Sequence, residues 1–182
     1  MAPATQPSGA RLKGITIDRE AGHVDVEAVL IRREADWLEL LMTTPGGREH
    51  ETLLTIKGTP SHLHLGLLML GLEPGRPLLV IEKEDKYVTK PPKGPAVNIA
   101  LIYKHDGQRH EVPANKWVLN RKIDKPLQSN RWLFTGSEIV KTRQGERVYL
   151  ADRSGAVISL VNFGDDLLSR DTTATNRSDN EQ

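Results

Sequence analysis

The sequence predicts an α+β fold, mainly antiparallel β-sheet of about nine short strands folded around one buried apolar helix. Three observations carry that prediction. Short segments rich in apolar and β-branched residues recur along the chain and are separated by turns of Gly, Pro, Asn and Asp. The connections between successive segments are too short for a crossover helix, which favours antiparallel pairing. A single stretch, residues 60–70, reads as a helix with both ends marked and no polar face after its first turn.

The elements follow in order. Residues 1–11 are small and Pro-containing, so they are expected to be a disordered N-terminal spacer, of the kind left after a removed signal or anchor. The globular domain is expected to span residues 12–168. Ile15 and Ile17 alternate with polar residues, residues 18–22 turn, and residues 23–31 alternate before becoming wholly apolar. That is a hairpin whose second strand enters the core. Residues 37–42 are the third strand, Thr44-Pro45-Gly46-Gly47 a turn, and residues 49–56 the fourth strand.

Lys57-Gly58-Thr59-Pro60 feeds that strand into the helix, with Thr59 or Ser61 as cap and Pro60 at the first helical position. Gly71 ends it and Pro74-Gly75 prevents resumption. Leu63, Leu65, Leu67, Leu68, Met69 and Leu70 leave no polar side, so the helix is expected in the core, covered by sheet on more than one side. It is far shorter than the ~20 residues a bilayer crossing needs. Residues 78–81 form a short strand, and residues 82–95 an exposed loop with three prolines. Asp106-Gly107 joins residues 97–103 and 108–112 as a hairpin. Residues 132–134, 148–151 and 157–161 are the last strands, with a plain turn at residues 152–155. Residues 169–182 are polar and are expected to be a disordered tail; Asn176-Arg177-Ser178 within it matches a glycosylation sequon.

Composition excludes several function classes. Lys plus Arg number 25 against 24 Asp plus Glu, a net charge of +1, and the bases are scattered; no nucleic-acid partner is expected. With no cysteine, disulfides, thiolate catalysis and cysteine-held zinc or iron–sulfur clusters are excluded within this chain. There is no signal peptide and no apolar run of membrane-spanning length. An unknown protein or small-molecule ligand is the remaining class of partner.

The candidate binding residues are Arg48, His50, Glu51, His62 and His64, the one concentration of potential ligating groups. As a strand, His50 and Glu51 would point to opposite faces; on the helix, His62 and His64 would sit about 200° apart. A metal site would therefore pair a helix histidine with His50 across the junction. The expectation is a polar, structural cluster at the helix entrance, with a metal-dependent or acid/base enzyme centred on His50, Glu51 and His62 as the alternative. Glu49 and Glu51 could share a strand face as an acid/base pair. Ser61 and Ser137 invite a nucleophile reading, but Ser61 serves as a cap and Gly136-Ser137 lacks the second glycine of a nucleophile elbow. No catalytic residue and no cofactor are assigned.

Three runs together resemble the YdjY-type domain of exported bacterial proteins, notably those of planctomycetes. They are Gly46-Gly47-Arg48-Glu49-His50-Glu51 with Pro60-Ser61-His62 opening the helix that ends at Gly71-Leu72-Glu73-Pro74-Gly75; Pro92-Lys93-Gly94 leading through residues 97–103 to Trp117-Val118; and Trp132-Leu133-Phe134-Thr135-Gly136-Ser137 followed by residues 149–155 and 158–161. The resemblance covers about residues 15–168 and implies no established activity. It implies an extracytoplasmic location, periplasmic or at the cell surface. It also implies, for some relatives, a cysteine-bound iron–sulfur cluster, which this cysteine-free chain does not carry over. The function expected is a non-catalytic extracytoplasmic binding or structural domain, with an assembly module of a cell-surface complex as a further alternative.

Overall fold

The computed structural model describes residues 10–32, 37–83, 86–120 and 123–175. Its centre is a seven-stranded sheet in the order Ala28–Leu30, Thr52–Ile56, Leu40–Thr43, Ile158–Ser159, Leu168–Arg170, Arg131–Phe134, Ala96–Asn98. Most neighbours are antiparallel, but Leu40–Thr43 runs parallel to Thr52–Ile56, and Ile158–Ser159 parallel to Leu168–Arg170. The short-connection argument missed these pairs because the strands themselves are short. A four- or five-residue strand is only roughly 13–17 Å long, so the eight residues 44–51 or 160–167 can carry the chain back without a helix.

A three-stranded sheet of Ala10–Leu12, Ile15–Asp18 and His23–Val26 and four separate two-stranded hairpins complete the β structure. The described residues thus form eighteen strands, several of only two or three residues, where about nine were expected. The hairpin at Asp106-Gly107 forms as predicted between Ala100–His105 and Gln108–Pro113, with both turn residues at positive φ. Residues 82–95 are not all loop: Lys86–Lys90 pairs with Leu79–Lys83. Its side chains are exposed on both faces, which removes the alternation that betrays a strand.

The helix α1, Pro60–Met69, has Thr59 at its N-cap and Pro60 at its first position. It closes with Gly71 at φ 83, where the Leu72 N–H bonds Leu67 C=O and the Gly71 N–H bonds Leu68 C=O. Its expected all-round burial is wrong. The face of Pro60, Leu63, Gly66 and Leu67 is buried, whereas Leu65 is 43% and Leu68 41% exposed. The buried face packs on Ile15–Asp18 and His23–Val26, and Gly66 permits the approach: a Cβ there would sit 3.2 Å from Ile17 and 3.3 Å from Val24. Sheet therefore does not enclose the helix, which keeps Leu65 and Leu68 open to solvent. A second helix, α2 at Leu150–Ser154, packs beside it in place of the turn expected there, and ends at Gly155 with φ 78.

Strand pairing reaches past both expected domain boundaries. Ala10 and Arg11, read as disordered spacer, lie in a strand paired with Ile17 and Thr16. Leu168–Arg170 runs across the boundary expected after residue 168, with Ser169 fully buried. Beyond it the Asn162 amide donates to Thr172 O at 2.7 Å and Ala174 O at 3.1 Å, and Asn162 bridges Thr175. Backbone pairing needs no large apolar side chain, so a hydrophobicity argument could not see either end. Residues 1–9 and 176–182, with the sequon, lie outside the described residues.

Candidate functional site

The five residues expected at the helix entrance fall into three separate places. Arg48 follows the Gly46-Gly47 turn, and residues Glu49–Glu51 form a 3-10 turn where a strand was expected. Glu49 and Glu51 therefore share no strand face; Glu49 instead accepts the Gly46 N–H at 2.8 Å. Arg48 Nη1 lies 3.2 Å from Glu51 and 3.9 Å from Glu39, and its guanidinium stands 4.2 Å over the Phe163 ring. Burial first, and then the Glu51 carboxylate, push the Glu39 carboxyl above its ordinary value, against the pull of Arg48. His50 is 79% exposed, with Nε2 3.5 Å from Glu51. This is an arginine clamped between two carboxylates, an arrangement that ties the 44–51 connection to the sheet and to Phe163.

His62 belongs to a different region. The strand Thr52–Ile56, roughly 17 Å long, separates the turn of His50 from the start of α1. The His62 Nδ1 is buried and makes no hydrogen bond, so the expected bond to a strand or loop partner is absent. A straight strand keeps its two ends apart, and sequence proximity across it was misleading. Among the described residues no group of three or more His, Asp or Glu is placed to hold a metal.

His64, two residues further on, joins a network with residues seventy or more positions away. Tyr149 donates its hydroxyl to Gly136 O at 2.9 Å, which leaves its oxygen to accept from His64 Nδ1 at 2.8 Å. The imidazole stands edge-on to Phe134 and to Tyr149. Burial lowers the His64 pKa and favours the neutral ring, with the Gly136 carbonyl acting the other way. Burial, and then Asp152, raise the Tyr149 hydroxyl pKa well above its ordinary range. Asp152 accepts the Ser61 N–H at 2.8 Å, so the open amides of α1 are capped from α2, not by Thr59. Ser137, at φ 52, accepts the Ala151 N–H at 3.1 Å and so holds the start of α2. In the sequence Ser137 stood out only as a rejected nucleophile, Asp152 only as part of a turn, and Tyr149 only as part of a strand.

Asp166 was missed altogether. Its side chain is fully buried, accepts the N–H groups of Phe163 and Gly164, and burial pushes its pKa up to about 6. The signal was present: an Asp shortly after Asn162-Phe163-Gly164 is the residue type that closes a turn onto its own backbone.

A large concave feature lies elsewhere, a cleft of about 1010 Å³ on one face of the central sheet. Its floor is a registered row across five strands: Leu30 opposite Leu54, Leu54 opposite Met42, Met42 opposite Ile158, Ile158 opposite Leu168. A bulge opposite Ile158 and Ser159 lets Leu41 line the floor beside Met42. One wall is Val24 and Val26 with Leu63, Leu67 and Leu70 of α1; the other is Val97, Ile99 and Leu101 with Trp117. His23, Asp25, Lys104 and His105 supply the polar groups. Apolar lining with a few polar groups at this volume suits a ligand site; the close acid–base pair in that lining, His23 and Asp25 at 3.5 Å, stands exposed to solvent.

A family model for the YdjY domain matches residues 15–182. No curated protein matches the chain. No solved structure matches it either.

Proposed function

We propose, from the premise that the chain belongs to the YdjY domain family, that it is a non-catalytic binding domain whose site is the apolar cleft over the central sheet. The observation that carries the reading is the cleft itself: an aliphatic row from Leu30 to Leu168, exposed at Leu30 and buried beyond it, flanked by further apolar lining from α1 and residues 97–101. Each methylene taken out of water there is worth about 0.8 kcal/mol, so burial alone can drive binding. The separation of His50 and Glu51 from His62 supports a binding role over a metal or acid/base enzyme built on those residues. We also place the domain outside the cytoplasm, on the strength of the exported proteins that its sequence resembles; fractionation of cells making the full chain tests that. No helix among the described residues is long and apolar enough to cross a membrane, which leaves β-barrel insertion unaddressed.

The binding reading is tested with the apolar dye anilinonaphthalene sulfonate and two variants. Ala28 and Ala100 line the cleft and are exposed, so Ala28→Trp and Ala100→Trp fill it without disturbing the core. The dye should fluoresce on binding the parent chain, and its affinity should fall about tenfold or more in each folded variant, a loss of ~1.4 kcal/mol. Unchanged dye binding in both variants would place the apolar site elsewhere and end the proposal.

A further inference from the structure

Two of the cleft's sides are strand edges, not strand faces. Residues 22–26 and residues 96–105 each line it without a gap. Successive side chains of a strand point to opposite faces, so an unbroken run of lining residues means that the strand lies edge-on to the cleft. His23–Val26 is the outer strand of the three-stranded sheet, and Ala96–Asn98 the outer strand of the seven-stranded one. Ala100–His105 pairs with Gln108–Pro113 alone. Each therefore presents an edge without a strand partner among the described residues, and the two runs do not pair with each other.

Resting on the reading that the cleft is the binding site, we propose that its ligand is an extended peptide segment of another protein, inserted as a strand along these edges, with apolar side chains at alternate positions. Free strand edges offer N–H and C=O groups that a purely apolar ligand leaves unbonded, whereas an added strand bonds them and still places every second side chain on the aliphatic floor. The size agrees. A six-residue strand is roughly 20 Å long, 4.8 Å wide and 10 Å thick, or about 950 Å³, against a cleft of about 1010 Å³. Lys104 and His105 on one wall and the His23–Asp25 pair on the other suit polar residues of both signs at the outward-facing positions. The chain's own ends do not fit. Ala10–Leu12 occupies the opposite edge of its sheet from His23–Val26, and residues 1–9 contain Pro3 and Pro7, which cannot donate to a ladder. Residues 176–182 contain no apolar side chain for the floor.

The test uses the folded chain and two synthetic ten-residue peptides that alternate valine and threonine between terminal lysines. The second peptide is N-methylated at alternate amides, which keeps its side chains and removes the hydrogen bonds along one edge. The plain peptide should bind, with the methylated one about tenfold weaker or more, as expected for the loss of two or three backbone bonds. Amide hydrogen exchange at residues 23–26 and 100–105 should slow at least about tenfold with the plain peptide bound. Equal affinity for the two peptides overturns the strand inference. So does dye binding without peptide binding, which leaves the binding-domain reading standing as a small-molecule site. Failure of dye and peptide alike defeats both. A dimer of the free chain that the peptide fails to dissociate identifies a second copy as occupant and also overturns the proposal.

Discussion

Asp166 makes the stability of this protein depend on pH in a direction opposite to that of an ordinary paired carboxylate. In the unfolded chain its carboxyl titrates near 3.8; in the folded chain burial moves it to about 6. Between those values the folded state holds the proton and the unfolded state has lost it. The stabilisation is therefore complete below pH ~4 and is lost as pH rises through ~6. A difference of 2.2 units (6 minus 3.8) corresponds to something on the order of 3 kcal/mol at 1.36 kcal/mol per unit. About 2 kcal/mol of it falls between pH ~4.5 and ~7.5, a sizeable part of the ~5–15 kcal/mol that a domain has in total. Asp166→Asn keeps an acceptor for the Phe163 and Gly164 amides and cannot ionise. Urea unfolding of parent and variant across that range isolates the effect, because Glu39, which shifts the same way, and His64, which shifts the other way, act in both chains. The parent should lose about 2 kcal/mol relative to the variant as pH rises. A parent-minus-variant difference that stays flat to within ~0.5 kcal/mol would refute the reasoning.

Four further outcomes follow from the same structure. Leu67→Ala should cost roughly 2–5 kcal/mol and Leu68→Ala less than ~1 in denaturant unfolding; equal costs would contradict the one-sided helix. Tyr149→Phe leaves Gly136 O and His64 Nδ1 without their partner, and should lower stability by roughly 1–3 kcal/mol; an unchanged melting temperature would show that neither bond matters. Arg48→Ala strands two half-buried carboxylates and should cost roughly 1–3 kcal/mol, against less than ~0.5 for His50→Ala, so a reversed order would disqualify the clamp. Deleting residues 172–182 removes both acceptors of the Asn162 amide and should destabilise by roughly 1–3 kcal/mol, whereas deletion from residue 176 spares them; identical melts for the two deletions would sink that reading.

What could be read from residue order was local. The Pro60 start and the Gly71 stop of α1, and the turn at Asp106-Gly107, follow from backbone preferences of single residues and formed where they were expected, whereas the cap came from Asp152 and not from Thr59 or Ser61. The face that α1 buries was illegible, because Leu63, Leu65, Leu67, Leu68, Met69 and Leu70 carry the same apolar signal all round, and only packing on Ile17 and Val24 breaks the tie. The His64–Tyr149 contact joins residues 85 apart, and nothing in either neighbourhood announces the other. His50 and His62 show the converse error: twelve positions apart, they are held apart by a strand that proximity in sequence disguised.

The cleft was illegible for a deeper reason, since periodicity reports strand faces and this site is bordered by strand edges. An edge is backbone, and backbone donors and acceptors are the same whatever side chains they carry. Its one trace in the sequence is a conflict. Residues 28–31 are wholly apolar and read as core, yet Val29, Leu30 and Ile31 remain exposed on the open edge of the central sheet, with Leu30 at the end of the cleft floor. An apolar strand left unpaired at an edge invites pairing with other chains, and natural sheets ordinarily blunt such edges with charge, proline or a covering element. Places where local pattern and final structure disagree are where functional demands are expected to show. Here the disagreement falls on Leu30, at the end of the floor of the cleft that is proposed to accept a strand.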